Sequence, residues 1–296
     1  MKFLFNRNVI FTASVAVGFA AGSSLGVLSF LNMPILILIM TLSLAEIDFS
    51  EFKNMTKLVK PFFAGIGLNY FLVFLILISL GRLFGIEGKT WAGLVFTAAT
   101  PPGLAIIPFT LVVKGDLFYS SVATFSASFA ALVFTPWLAT VFIGNDVVGF
   151  FDIFNLIAML LVFPFILARI VRAIGGGDVA RKIHGPVVNI GFGIIFAVIL
   201  GINKELVLSD LISVAKLFFI SVISVFCFAY AIRYVVLKRG ISEDTRKSIV
   251  LVATIKNSIF GATAGLALLG PEGALAGIVL TFVIFVYLIF IEKIVR

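Results

Sequence analysis

Apolar residues along the chain come in long unbroken runs rather than in alternation. Most runs reach about 18 residues, enough to cross ~30 Å of hydrocarbon as a helix. A transmembrane β-barrel would alternate apolar and polar positions, and these runs do not. The pattern predicts ten membrane-spanning helices, at 8–28, 30–46, 61–84, 90–113, 117–143, 151–172, 185–202, 211–237, 248–269 and 273–292. A polar, amphipathic link, DFSEFKNMTKLVK, separates the second from the third, and a short turn, GNDVVG, separates the fifth from the sixth.

Composition agrees: 61% of the 296 residues are hydrophobic and 12% are charged, unlike any soluble domain of this length. The fold class is an all-α polytopic membrane protein, with the lipid bilayer as its solvent. The first run follows a short basic stub and reads as a retained helix, not a cleaved signal peptide. The net charge of +8 does not point to nucleic acid, because basic residues flanking membrane spans produce such an excess. With the N-terminus inside, only Arg82, Lys89, Lys204 and Lys216 fall outside among the 22 basic residues. That bias places the chain in the cell (inner) membrane with both termini cytoplasmic. Cys227 is the single cysteine; it rules out an internal disulfide and reads as a core or lipid-facing residue.

Ten spans divide into two sets of five, 1–146 and 147–296. Five is odd, so the second set enters the membrane from the opposite side, the topology of an inverted repeat. The fourth span of the first set contains TPPGLAIIPF, and the fourth of the second contains TIKNSIFGA. Pro101, Pro102 and Pro108 each remove a backbone donor and obstruct the preceding turn. Interrupted helices in matching positions, here spans 4 and 9, point to a binding site at the membrane midplane.

Lys256 is the one basic residue inside a span. It lies ~14 Å deep at 1.5 Å per residue, too far in to snorkel to an interface. None of the acidic residues occupies the middle of a span. A charged lysine there costs ~2.5–3.5 kcal/mol on the insertion scale. An aqueous cavity, loss of its proton, a bound anion, or backbone carbonyls freed by the broken helix would each relieve it. The neighbouring Thr254, Asn257, Ser258 and Thr100, with Pro102 and Pro108 in the opposing break, complete a candidate substrate site.

Three stretches carry a family resemblance. TPPG…VVKGDLFYSSVATFSASFAALVFTPWL resembles the fourth and fifth spans of the bile acid:sodium symporter family. VFPFILARIVR is similar to its sixth span, and KNSIFGATAGLAL to its ninth. The resemblance implies a core domain (helices 3–5 and 8–10) with two broken helices crossing at the midplane. A panel domain (helices 1, 2, 6 and 7) moves against it. It also implies alternating access for organic anions, usually coupled to sodium. The sodium ligands carry over poorly. Ile106 and Ile107 stand where the family has a Ser–Asn pair, Val252 where it has a glutamate, and Lys256 where it has the glutamine of Gln-Asn-Ser. Ser120 and Thr124 match family hydroxyls on the fifth span, and Asn69 matches a third-span glutamine; these are candidate ion or polar core contacts. Hard cations need several oxygen donors, and most are missing.

The reading is a sodium-independent carrier for a small or amphipathic organic anion, with the Lys256 ammonium in place of the bound cation. Uniport, exchange and proton coupling are its modes; sodium symport through rearranged ligands is the alternative. No cofactor and no metal are expected. An enzyme is not expected: no intramembrane carboxylate pair or metal-ligand cluster exists, and His184 falls in a cytoplasmic link. A Ser–Lys dyad at Lys256 would be the sole catalytic arrangement. Trp91 and Trp137 sit near span ends, where the interface favours indole. Gly261-x-x-x-Gly265 and Gly273-x-x-x-Gly277 predict close helix approach, and IGGGD a flexible link.

Overall fold

A computed structural model describes residues 7–45, 55–103, 105–144 and 147–295. Among them the structure is helical throughout, with one isolated backbone bridge as its sole extended pairing. Seven helical stretches are long and apolar enough to cross a membrane: Arg7–Ala45, Thr56–Leu83, Leu117–Ile143, Phe150–Ala173, Gly177–Ile202, Leu211–Leu237 and Pro271–Val295. Large apolar side chains such as Phe30, Phe63, Phe151 and Ile212 face outward, as a lipid-facing surface requires. Cys227 is exposed with them.

The first stretch comprises α1 (Arg7–Ala21), a 3-10 segment (Gly22–Leu31) and α2 (Asn32–Ala45). Its 39 residues form two helices that share one partner helix. Along α9 (Gly177–Ile202), Gly193 faces Ile10 and Ser14, and Gly201 faces Gly22 and Leu25. Further contacts run the other way: Gly191 faces Ile35 and Ile39, while His184 bonds Ser43. So α1 runs with α9 and α2 returns against it. The reversal starts at Gly22, whose φ of +58° suits glycine, several residues before the junction expected from hydropathy. Arg169 and Arg172 of α8 (Phe150–Ala173) donate to the carbonyls of Leu44 and Ala45 at the end of α2. The polar link before α3 lies mostly outside the described residues.

The second stretch contains α3 (Met55–Ile66), a π-helical segment (Gly67–Val73) and α4 (Phe74–Leu83). The stretch from Leu211 repeats that design: α11 (Leu211–Val222), a π segment (Ile223–Cys227) and α12 (Phe228–Leu237), preceded by the short α10 (Lys204–Ser209). Such bulges favour functional positions. The first holds Asn69 and Tyr70 inside the protein.

Two apolar runs are interrupted. Helix α5 (Gly88–Ala99) stops before Pro101–Pro102, and α6 (Ile106–Val112) resumes after the gap. Thr100 is extended, at ψ 155°, because a residue preceding proline is pushed out of the α region. Likewise α13 (Glu243–Thr254) stops, Ile255 is extended, and α14 (Ser258–Leu269) follows. The long α7 (Leu117–Ile143) has the limits the sequence predicts. Helix α15 (Pro271–Val295) packs tightly on α14: a Cβ added at Gly265 would lie 2.3 Å from the Gly273 carbonyl oxygen. The glycine pairs thus do what their spacing predicts. Trp91 does not: it is buried, donates to the Phe142 carbonyl and lies 3.9 Å beneath the Arg82 guanidinium. Trp137 is exposed.

Candidate functional site

The two interruptions meet. Gly103 N donates to Ile255 O at 3.0 Å, and Asn257 N donates to Pro101 O at 3.1 Å, pairing Pro102 with Lys256 as a single antiparallel rung. Each broken helix thereby satisfies backbone groups the other has freed. Asn257 also caps α14, its Oδ1 accepting from Phe260 N at 3.3 Å.

Side chains satisfy the remaining carbonyls at the end of α5. Thr135 donates to Ala99 O at 2.6 Å, and Thr100 Oγ1 to Thr97 O at 2.7 Å. Thr100 O accepts from Asn69 Nδ2 at 3.1 Å and from Lys256 Nζ. Lys256 Nζ donates also to Asn69 Oδ1 at 2.8 Å, and the Tyr70 ring centroid lies 6.0 Å away. Nζ therefore sits at the C-terminal end of a half-helix, where the peptide dipoles favour positive charge. Lys256 is only 5% exposed, and no ion pair joins it to a described carboxylate.

Asn69 matters more here than its sequence signal suggests, because it both accepts from Lys256 and donates to Thr100. Asn69→Leu should destabilise the protein by about 3 kcal/mol by leaving a buried ammonium short of an acceptor. Denaturant unfolding in detergent measures this; unchanged stability would mean the Asn69 contact contributes nothing.

Other predicted residues separate into groups. Lys256, Asn257, Ser258 and Pro108 line a cavity of about 330 Å³. Thr100 and Pro102 lie at the crossing, behind that wall. Thr254 Oγ1 is turned to Val250 O and the Tyr287 hydroxyl. Ser120 Oγ lies 2.7 Å from Thr110 Oγ1, and Thr124 Oγ1 is buried with no hydrogen-bond partner. Neither touches Lys256. Ile106 and Val252 are buried among apolar side chains. Ser258 Oγ lies 2.8 Å from Thr281 Oγ1, so Lys256 and Ser258 make no dyad. No cluster of three or more histidines, cysteines, aspartates or glutamates able to hold a metal occurs among the described residues.

The cavity lies between α1, α2 and α9 on one side and α6, α14 and α15 on the other. Its wall is mostly apolar, and sequence reading misses Arg7, Ser43, His184, Asn189 and Thr281 among its polar members. His184 is not in a link. It belongs to α9, which begins at Gly177 and runs through Pro186, and its Nε2 is 3.0 Å from Ser43 Oγ. The span drawn from 185 lost that first part of the helix, whose polar residues hide it from hydropathy.

A model of the sodium bile acid symporter family matches residues 33–210, more than half of the chain. The chain belongs to that family. Membership in the sodium bile acid symporter family makes it a multi-pass secondary transporter of organic anions. The match contains α2 to α9 and the first broken helix; Lys256 lies beyond it. No curated protein matches the sequence.

Proposed function

We propose that this transporter carries an organic anion without sodium, by alternating access, and that the Lys256 ammonium stands where relatives would bind a cation. One observation carries the reading: the Lys256 amino group is held by Asn69 and Thr100 where two interrupted helices cross. The charge contributes what a bound ion would, holding the freed carbonyls together, and cannot dissociate. With Lys256 always protonated the protein is a uniporter or exchanger. A lysine that gives up its proton during the cycle would make it proton-coupled.

Ten spans in two inverted repeats, 1–146 and 147–296, fit this cycle. Helices α1 and α2 supply the first two spans, the interrupted pairs α5/α6 and α13/α14 the fourth and ninth. The paired π segments, each in the third span of its half, support the repeat. Helices α1, α2, α8 and α9 would form the panel and the remainder the core. By the positive-inside bias, both termini and the end of the cavity bearing Arg7 and His184 are cytoplasmic.

Full replacement of sodium by choline should leave anion uptake into proteoliposomes unchanged, and sodium chloride should stabilise the purified protein no more than choline chloride. A native-state ligand at ten times its dissociation constant adds ~1.4 kcal/mol, so a sodium-specific shift would overturn sodium independence. One observation favours sodium symport as the second reading: the buried hydroxyls of Thr97 and Thr124 lack hydrogen-bond partners and are available as oxygen ligands. The same substitution decides between the two.

A further inference from the structure

Arg7 opens α1 and lines the cavity that α6, α14 and α15 close from the other side. Its guanidinium lies 4.5 Å from the centroid of the Phe109 ring in α6, so ring and cation face each other across the two groups of helices. Its Nε is buried with no hydrogen-bond partner, and it forms no ion pair with a described residue. This differs from Lys256, whose Nζ is committed to Asn69 and Thr100. Arg7 is thus the cation of this cavity with donors to spare. Among the described residues no aspartate or glutamate lines the space, and Phe11, Phe192, Phe285 and Leu288 give it apolar walls. The Ser43–His184 pair adds polar groups to the same lining.

We propose that Arg7, held against Phe109, is the anchor for the head group of an amphipathic monoanion whose apolar body lies along Phe11, Phe192, Phe285 and Leu288. The head group is a planar or trigonal oxyanion, carboxylate or sulfonate, which the guanidinium fork meets with two parallel N–H donors. The apolar body replaces water against the phenylalanines, and the guanidinium charge keeps cations out. Lys256 then acts in the cavity wall as the fixed charge of the crossing, and Arg7 selects the cargo. This rests on the organic-anion transport reading and adds to it the residue that recognises charge.

The test uses the full chain in lipid nanodiscs and two probes of one shape, naphthalenesulfonate and its uncharged counterpart naphthalenesulfonamide. The wild type should bind the sulfonate more tightly. Arg7→Gln should weaken the sulfonate by about tenfold or more, the loss of a charge-assisted contact, and leave the sulfonamide unchanged, which also reports an intact fold. Arg7→Lys should keep part of the preference, because charge remains without the fork. Phe109→Leu should fall between, with the guanidinium present but unseated. Equal sulfonate binding by wild type and Arg7→Gln would overturn the proposal, as would a wild type that does not prefer the sulfonate. The two readings fail separately: Arg7-dependent binding without any vesicle uptake removes transport, and uptake indifferent to Arg7 removes the anchor.

Discussion

Lys256→Met is expected to abolish organic-anion uptake in proteoliposomes while changing unfolding stability by no more than about 1 kcal/mol. The two halves of that result have different causes. Uptake fails because the crossing loses the Lys256 cation, leaving Thr100 O and Asn69 Oδ1 converging without it. Stability holds because a methionine removes a costly buried charge and fills nearly the same volume, an exchange that is often neutral or favourable. A lysine serving only to tie freed carbonyls would behave otherwise, with uptake declining only as far as the folded fraction does. Uptake at the wild-type rate from this variant would exclude any role for the ammonium in transport.

Gly65→Ala should cost about 3 kcal/mol or more, enough to lower the yield of monodisperse protein sharply. A Cβ at Gly65 would lie 2.0 Å from the carbonyl oxygen of Ala123, an atom of the α7 backbone that cannot step aside by changing rotamer. Helices α3 and α7 would have to separate, straining the bond from Ser126 Oγ to Phe62 O. Gly67→Ala is the matched control: nothing lies within 4 Å of a Cβ built there. Denaturant unfolding of the two variants side by side should show a large loss in one and almost none in the other. Equal stabilities would mean that the α3–α7 contact relaxes freely.

Much of the helical framework was legible because membrane helices advertise themselves by length and apolarity alone. Helix α7 needed nothing more. Both interruptions were legible too, since Pro101, Pro102 and Lys256 are local violations of an apolar run. Reversals were harder. Hydropathy stays high from Arg7 to Ala45, and the turn at Gly22 is a matter of backbone conformation rather than polarity. The crossing partners followed the same rule. Asn69 stood out only through the family resemblance, because the atom it accepts from lies 187 residues along the chain. Arg7 reads as part of the basic stub and His184 as a link residue, while Ser43 carries no signal inside its span; they become a cavity lining only when α1, α2 and α9 are laid beside α6 and α14. A long-range juxtaposition leaves no trace in local periodicity.

The tethered ammonium at the crossing also bears on the membrane potential. A soluble co-ion crosses with the cargo and is released, so a sodium-driven carrier returns without it. Under the proposed cycle, Lys256 would ride with the moving core in both directions. Loaded with a monoanion, the moving core and its cargo would together be electrically neutral; empty, the core would carry the Lys256 charge through the field. Moving a full elementary charge through 100 mV involves about 2.3 kcal/mol. An inside-negative potential would therefore act chiefly on the unloaded return, favouring the empty site toward the cytoplasm, and would turn a carrier without a coupling ion into one whose turnover follows voltage.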